Sequence, residues 1–406
     1  MTKNFFLLII IIIFTLILYG LNLFIYWTYL KIFDEVIDKF TYLIPLFFLV
    51  LLTLLVIVFR FINDCIFRWV YLSAMTILGI ELNVFMSIII YHIINLIYEM
   101  PRIVGILFSM IIPGLFSLYG LINAQITKID KIKIKLKYTS LPKPIKIAHL
   151  SDIHFGANYQ RNFCEFLVEK IKEINPDVVV ITGDMSDGSM KVKHEWMEPF
   201  NEIKPPILYI TGNHEELHGK EDMLKEVAKT KVKHIGDQIV HVAGAKFVGV
   251  DYESDLDEAL PRLLAKDKDL DFEENKVNRS LIENEQNKEM EENKCDNFKN
   301  NYKKLYDKDC RNNINDKNEP IILLYHVPLI EPKDLSKYNI TLGLFGHTHG
   351  GQLIPLHIPT YFANKCFAGL YSYNDTNFIY VSSGVGLANV PMRTFSRSVI
   401  GEIILY

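Results

Sequence analysis

The sequence predicts an α/β domain that follows an all-α membrane region of about four helices. Two observations carry this prediction. Residues 1 to about 125 form long runs of Ile, Leu, Phe and Tyr with very few charges, whereas the remainder has the composition of a soluble domain. In that remainder, short apolar runs ending in glycine or polar residues alternate with helical patterns, as in βαβ units. The 406 residues suit two or three domains, and the net charge of −4 gives no sign of nucleic-acid binding.

Four apolar runs make up the predicted membrane region, residues 1–127. Each run can cross a hydrocarbon core of ~30 Å as a helix. The first run is longer than a signal-peptide core and lacks a small-residue cleavage site, so we expect it to be retained, with the lipid bilayer as a partner. A soluble helical bundle is disfavoured because its helices would carry polar faces. The runs span approximately residues 5–30, 42–60, 70–97 and 103–124.

One carboxylate, Glu81, lies inside the third run. A charge at the centre of a bilayer costs ~2.5–3.5 kcal/mol, so we expect Glu81 to face a neighbouring helix. A proton-relay role together with His92 is the alternative.

Lysine and arginine near the ends of these runs predict the orientation. With four spans, the N-terminus, the second loop and the C-terminal domain share one side of the membrane. That side holds eight Lys or Arg residues close to the spans, and the other side holds three. Because cytoplasmic loops carry the excess of positive charge, we expect a multi-pass protein of the plasma membrane with a cytoplasmic C-terminal domain.

Residues 128–144 form a basic linker that contains a predicted strand. Ile132, Ile134 and Leu136 alternate with lysines, which is the period of a strand with one buried and one basic face. The lysines suit an edge strand, which they protect from pairing with other chains. They also suit contact with anionic headgroups, and the two roles are compatible.

Polar residues follow three buried strands in the first half of the α/β domain, which we place at residues 145–406. The strand at 144–150 leads to Asp152 and His154, and the strand at 178–182 leads to Asp184. The strand at 207–211 leads to Asn213 and His214. Ligand sites of open α/β sheets lie at the carboxyl ends of the strands, so we expect these side chains to converge.

Two later strands end at histidines. The strand at 320–325 leads to His326, and the strand at 340–345 leads to Gly346-His347-Thr348-His349. The glycine allows a tight turn, so that both histidines of the second motif can face one point. The carboxylates, amide and histidines together are too many for one metal ion and suit two ions that share a carboxylate. The five cysteines are scattered and are predicted to be free thiols rather than disulfides or zinc ligands.

The blocks Asp152-x-His154, Gly183-Asp184, Gly212-Asn213-His214-Glu215, His326 and Gly346-His347-Thr348-His349 stand in an order that resembles calcineurin-like metallophosphoesterases. The resemblance covers residues 145–406 and extends to the membrane-associated branch with the YkuE and YaeI proteins. It implies a four-layer α/β/β/α sandwich. It also implies two divalent ions (Mn, Fe, Zn or Co) and hydrolysis of a phosphate mono- or diester by a metal-bridging hydroxide.

The same resemblance implies a role for each residue of these blocks. His214 is expected to be catalytic and to face the scissile phosphate as an acid or electrostatic partner. The resemblance assigns Asp152, His154 and His349 to the first ion, Asp184 to both ions, and Asn213, His326 and His347 to the second ion.

Residues near the motifs have weaker signals. Arg393 is expected to bind a substrate anion or, failing that, to lie on the surface. Glu215 is a candidate for holding an imidazole in one tautomer. His194 and His218 are expected to be solvated.

Residues 255–318 are rich in Lys, Glu, Asp and Asn. Low hydrophobicity combined with high charge predicts disorder or a loosely packed helix, so we expect a surface insertion or a lid over the site.

Two alternatives remain open at this stage. A catalytically silent, membrane-tethered binding or signalling module would share the same architecture. For an enzyme, the substrate is either a phospholipid, which the membrane anchor would favour, or a soluble nucleotide-type phosphoester or phosphoprotein. No protein partner can be inferred.

Overall fold

The protein is described by a computed structural model that covers residues 2–33, 43–60, 64–137, 139, 141–267 and 319–406. Side chains within α1 before residue 16, and half of those in α2, are outside this description. The N-terminal helices are α1 (Thr2–Phe33), α2 (Leu43–Arg60), α3 (Asp64–Asn95), α4 (Arg102–Ile106) and α5 (Ile112–Ala124).

Three helical stretches among the described residues are long and apolar enough to cross a membrane. They are Leu16–Phe33, Asp64–Asn95 and Arg102–Ala124, where α4 and α5 are joined through a π-helical turn. These stretches indicate membrane association and coincide with the first, third and fourth predicted runs. The second run coincides with α2, which is not among these three stretches, so the count of four spans stays a prediction. Glu81 accepts a hydrogen bond from Asn22 Nδ2 in α1 at 3.3 Å, which confirms that it faces a neighbouring helix.

Two six-stranded sheets follow the helices. The first has the order β1-β12-β2-β3-β4-β5 and the second β10-β11-β9-β8-β7-β6. The strands are β1 (Thr127–Ile134), β2 (Ile145–Leu150), β3 (Val178–Thr182), β4 (Ile207–Ile210), β5 (Val232–His234), β6 (Gln238–Val242), β7 (Ala245–Gly249), β8 (Ile321–Leu324), β9 (Ile340–Phe345), β10 (Gly369–Tyr373), β11 (Asn377–Val381) and β12 (Ser398–Leu405). The helices of the domain are α6 (Arg161–Ile174), α7 (His194–Met197), α8 (Asn213–His218), α9 (Lys220–Val227), α10 (256–267), α11 (Pro332–Leu335) and α12 (His357–Ala363).

The sheets pack face to face because their central strands are apolar on both faces. In β3, Val178 and Val180 join the core between the sheets, whereas Val179 and Ile181 join the core under α6. The outer face of the second sheet is covered by α10 and α11, for example by Leu260 and Leu335. Strand alternation with period two therefore separates three apolar layers, and the expected α/β/β/α sandwich is confirmed.

The predicted basic strand is β1, which pairs with β12 at the edge of the first sheet. Ile132 and Ile134 are buried. Lys131 keeps 73% of its side chain exposed, 3.7 Å from Glu402. β1 thus lies at a sheet edge with a buried apolar face and exposed lysine, and contact of the lysines with lipid headgroups stays a prediction.

The start of the predicted insertion belongs to the folded domain. Residues 256–267 form α10, whose Leu256, Ala259, Leu260 and Leu263 are buried against the second sheet. Residues 268–318, where the rest of the predicted insertion or lid falls, lie outside the described residues.

Candidate metal centre

The predicted ligands meet where strands of both sheets end. The loops after β2, β3 and β4 come from the first sheet, and those after β8 and β9 come from the second. Backbone hydrogen bonds lock the loops together: Asp152 N–H donates to Gly183 O and His154 N–H to Asp184 O, both at 3.0 Å. The expectation that one sheet edge collects the ligands is too simple, because β8 and β9, which lead to His326, His347 and His349, belong to the second sheet.

Five of the predicted ligands have left-handed backbone conformations. Non-glycine residues with positive φ are uncommon and cost free energy, so their concentration at one place points to a functional site. The φ angles are 54° for Asp152, 54° for His154, 51° for Asp184, 70° for His347 and 49° for His349.

Asp152, His154 and His349 form the first group of candidate ligands, which we call the first ligand group. His154 Nε2 and His349 Nε2 lie 2.9 Å apart, and His349 Nε2 lies 3.4 Å from Asp152 Oδ1. All three residues are buried. Burial lowers the pKa of His154 to about 3 and holds the pKa of His349 well below its usual range, so both imidazoles are neutral. Two neutral imidazoles and a carboxylate that face one point suit a divalent cation.

Asn213, His326 and His347 form the second ligand group. Asn213 Oδ1 lies 3.1 Å from His326 Nε2 and 2.8 Å from His347 Nδ1. His326 Nδ1 lies 2.7 Å from the Thr182 carbonyl and donates its proton there, so the neutral form of this ring would present the Nε2 lone pair to the site. Asn213 and His347 are half-buried, unlike any member of the first group.

Asp184 lies between the two groups. Its Oδ2 is 3.2 Å from His326 Nε2 and 3.8 Å from His154 Nε2. Burial alone would raise the pKa of Asp184, but the surrounding histidines hold it well below the usual range, so the group is ionised. This is the position expected of a carboxylate shared by two cations.

The charge balance of the site favours a cation. Burial opposes protonation of His326, yet Asp184 and Asp152 raise its pKa to about 9. The buried carboxylates therefore draw a positive charge into the centre, and a divalent ion would supply it without a proton on a ligand nitrogen. Among the described residues, three sets of three side chains have all their donor atoms within 4.8 Å of one another. The sets are Asp152–His154–His349, His154–Asp184–His214 and Asp184–His326–His347.

Glycine is required beside the ligands. A Cβ on Gly183 would come within 2.6 Å of His326 Nδ1, and this glycine has a φ of +87°. A Cβ on Gly346 would overlap the Ser151 hydroxyl. The glycines of the motifs thus let neighbouring loops approach closely enough for the ligands to meet.

Glu215 holds backbone rather than an imidazole. Its carboxylate accepts N–H groups from Asp184 at 3.0 Å, Ser186 at 2.8 Å and Gly212 at 2.8 Å. The sequence singled out this residue but predicted the wrong partner, because backbone donors in two separate loops are not visible in a linear motif. Glu215 fixes the loops that carry Asp184 and Asn213.

His214 lies at the junction of the two groups. Its backbone N–H donates to Asp184 Oδ1 at 2.9 Å, and its Nδ1 lies 3.2 Å from the Asp187 carbonyl oxygen. The ring is half-buried and 4.7 Å from the ring of His154. Donation from Nδ1 to a carbonyl leaves Nε2 available for proton transfer, so the expected catalytic role is sterically reasonable.

Two of the weaker expectations have different outcomes. His194 is half-buried with Nδ1 3.0 Å from Glu226 Oε2, so it is not simply solvated. His218 is exposed, as expected, with its ring 5.5 Å from that of His214.

Arg393 is fully buried, so the surface alternative is wrong. Its Nη2 donates to the carbonyls of Ser383, Gly384 and Gly386 at 2.7–3.1 Å. Its Nη1 donates to the carbonyl of His349 at 3.2 Å. The guanidinium therefore donates to backbone carbonyls around the first ligand group. Binding of a substrate anion by Arg393 stays a prediction.

Comparison with known proteins agrees with this geometry. The model of the family described as calcineurin-like phosphoesterase matches residues 145–351. A zebrafish (Danio rerio) protein described as a transmembrane protein with metallophosphoesterase domain is 29% identical over 320 residues, 73% of this chain and 62% of the relative. A Bos taurus protein with the same description is 28% identical over 303 residues, 73% of this chain and 61% of the relative.

A bacterial protein from Helicobacter pylori strain J99, described as an uncharacterized metallophosphoesterase, is 27% identical over 276 residues, 65% of this chain and 60% of the relative. The chain therefore spans about three fifths of the length of these relatives. The narrower resemblance to the YkuE and YaeI branch stays a prediction. The ligand groups, the two-sheet sandwich and the family match lead to one conclusion: the chain belongs to the calcineurin-like phosphoesterase family.

Proposed function

We propose that this chain is a membrane-anchored phosphoesterase that uses two divalent ions to hydrolyse a phosphate mono- or diester. The observation that carries the proposal is the Asp184 carboxylate, which lies 3.2 Å from a histidine of the second ligand group and 3.8 Å from one of the first. The first and second ligand groups would each hold one ion. Bound ions supply charge neutralisation for phosphate oxygens and a more acidic water.

The chain's own residues complete the site in this proposal. Asp152 accepts the backbone N–H of His347 at 3.0 Å and so ties one ligand loop to the other. His214 Nε2 would hold or deliver the proton needed by the leaving oxygen. The nitrogen and oxygen donors suit Mn, Fe, Zn or Co.

The test uses the full chain in detergent, with p-nitrophenyl phosphate and bis-p-nitrophenyl phosphate as substrates and Mn²⁺ as the added metal. Wild-type protein is expected to bind about two ions and to turn over at least one substrate. Asp184→Asn should lose both metal and turnover. His214→Gln should keep its metal while kcat falls by about 10²- to 10⁴-fold. A metal-loaded wild-type protein that turns over neither ester would support the silent binding module instead.

A cleft between the helices and the domain favours an amphiphilic phosphoester such as a phospholipid over a soluble nucleotide. Its volume is about 470 Å³, and its walls include Leu72, Leu121 and Ile122 from α3 and α5 together with Leu387 and Pro391. This is within the range of about 300–1,000 Å³ common for small-molecule sites. The Leu387 wall lies next to Gly386, whose N–H donates to the Asp152 carbonyl at 2.8 Å, so the cleft adjoins the first ligand group.

Filling the cleft tests the substrate class. Ile122→Trp should lower activity on a long-chain phospholipid in mixed micelles and leave activity on bis-p-nitrophenyl phosphate unchanged. Leu118→Trp is the matched control, because Leu118 is 54% exposed on the same helix, Ile122 is 55% exposed, and only Ile122 is among the residues found to line the cleft. Equal effects of both variants on both substrates would contradict an amphiphilic substrate.

We also propose a multi-pass plasma-membrane protein with its catalytic domain in the cytoplasm. Arg68, near the start of α3, donates to the Ala157 carbonyl at 2.7 Å, so the domain lies at the basic ends of the helices. Relatives described as transmembrane proteins support the anchoring. A C-terminal green fluorescent protein fusion should fluoresce in a bacterial host if the domain is cytoplasmic, and a C-terminal alkaline phosphatase fusion should be inactive. The reverse pattern would contradict this orientation.

A further inference from the structure

A short turn, residues 393–396, connects the metal centre to α5. It belongs to the segment that passes between the first ligand group and the membrane helices on its way to β12. One side of the turn contacts His349, and the other side contacts Gly120 and Asn123. We call it the 393–396 turn.

On the metal side, the turn holds the carbonyl of His349. Ser396 Oγ donates to that carbonyl at 2.6 Å, and Arg393 Nη1 donates to it at 3.2 Å. Arg393 Nη1 also donates to Ser396 Oγ at 2.7 Å, which fixes the direction of the hydroxyl. His349 has a φ of 49°, an unfavourable conformation that persists only where the surroundings impose it.

On the helix side, Asn123 holds the turn at both ends. Its Nδ2 donates to the carbonyl of Arg393 at 2.8 Å and to the carbonyl of Ser396 at 3.0 Å. The Arg393 N–H donates to the carbonyl of Gly120 at 3.0 Å. Asn123 is buried, so these bonds do not compete with water.

Close packing keeps the helices against this segment. A Cβ on Gly120 would come within 2.7 Å of Thr394 Cγ2, and a Cβ on Gly79 would come within 2.7 Å of Val390 Cγ1. Both glycines lie in helices that are apolar enough to span a membrane. Any larger residue would push the turn away from α5.

We propose that Asn123 is a positioning residue of the metal centre: through Arg393 and Ser396, a membrane helix sets the orientation of the ligand His349. Hydrogen-bond partners one step behind a metal ligand tune its affinity by about 10- to 100-fold. Asn123 lies one step further out and acts on both of those partners. The integrity of the first ligand group thus depends on contact with the membrane region, and the inference rests on the proposed metal centre.

The experiment measures Mn²⁺ binding to the full chain in detergent, by electron paramagnetic resonance titration, beside the visible spectrum of Co²⁺-loaded protein. Asn123→Leu removes both donors at similar volume. Its matched control is Asn83→Leu, because Asn83 is an equally buried asparagine of α3 that bonds only to Ser117 within the helices, at 2.9 Å. Gly120→Ala is the second variant, and Gly114→Ala is its control on the same helix, since nothing lies within 4 Å of a Cβ there.

Asn123→Leu and Gly120→Ala should each weaken binding of one of the two Mn²⁺ ions by about 10-fold and change the Co²⁺ spectrum. The two controls should keep wild-type binding. Ser396→Ala should weaken the same ion, and its effect should not add to that of Asn123→Leu, because both act through one chain of contacts.

Wild-type affinity in both folded test variants would overturn the inference, as would equal losses in test and control variants. If Asn123→Leu does not fold, the question is decided by the Mn²⁺ affinities of Gly120→Ala, beside its control Gly114→Ala, and of Ser396→Ala. Failure of wild-type protein to bind Mn²⁺ would count against the proposed function itself, which separates the two outcomes.

Discussion

The two ligand groups share Asp184 but are supported in different ways. The first group is fully buried and rests on distant parts of the chain, namely the 393–396 turn and, behind it, α5. The second group is half-buried at Asn213 and His347 and is supported from within the α/β domain, by the Thr182 carbonyl that contacts His326 and by Glu215 that holds the Gly212 N–H. The second group is therefore the more open to solvent, whereas the first group is enclosed by protein.

Removing one histidine from each group gives the largest expected contrast. His349→Ala and His347→Ala each remove a predicted ligand. Loss of a residue that only hydrogen-bonds to a metal ligand typically lowers activity about 10- to 100-fold, so these two variants should lose more than that. Added imidazole should restore part of the activity of His347→Ala, because that site is half-exposed. It should not restore His349→Ala, whose site is 6% exposed.

The measurement is the initial rate on bis-p-nitrophenyl phosphate against imidazole concentration. Equal rescue of both variants would show that the two groups are equally open to solvent, which would contradict the predicted difference between them.

Changing the support of each group gives a smaller effect. Arg393→Lys removes the planar fork that reaches several carbonyls, and Glu215→Gln places an amide N–H against backbone donors. Arg393→Lys should weaken the ion of the first group, and Glu215→Gln the ion of the second, each by about 10- to 100-fold. Mn²⁺ titration followed by paramagnetic resonance distinguishes the loss of one ion from the other. Loss of both ions in Arg393→Lys would mean that the groups do not act separately.

The smallest effect is a pH-dependent change in stability behind the second group. Burial would raise the pKa of Asp251, but hydrogen bonds from His234, the Thr211 N–H and Lys220 lower it below its usual range. A carboxyl with a lowered native pKa stabilises the fold above its unfolded pKa of about 3.9 and loses that contribution as the pH falls toward the native value.

Asp251→Asn should therefore lower the free energy of unfolding by about 1–3 kcal/mol at pH 7. The difference from wild type should shrink below about pH 4. Thermal unfolding of both proteins in detergent, from pH 7 to pH 3, checks this. A constant difference across that range would mean that the charge of Asp251 does not contribute.

Local pattern was sufficient for the strands that lead to the candidate ligands. β9 was predicted at its observed bounds because Ile340–Phe345 is an uninterrupted apolar run before a glycine turn. The apolar spacing of residues 161–174 matches one helix face, which is the pattern that predicts α6. The ligands directly follow strand ends, so any fold that brings those ends together also brings the ligands together.

Tertiary structure decided which side chains hold the ligands in place. Asn123 and Arg393 are 270 positions apart, and Glu215 accepts hydrogen bonds from backbone donors in two loops. No local propensity or periodicity encodes such contacts, because they depend on how two sheets and the membrane helices pack. The sequence alone determined the elements that lead to the candidate ligands and the chemistry of the donors. Packing decided that the first ligand group is supported from α5 through the 393–396 turn, and the second from within the α/β domain, where loops of both sheets meet.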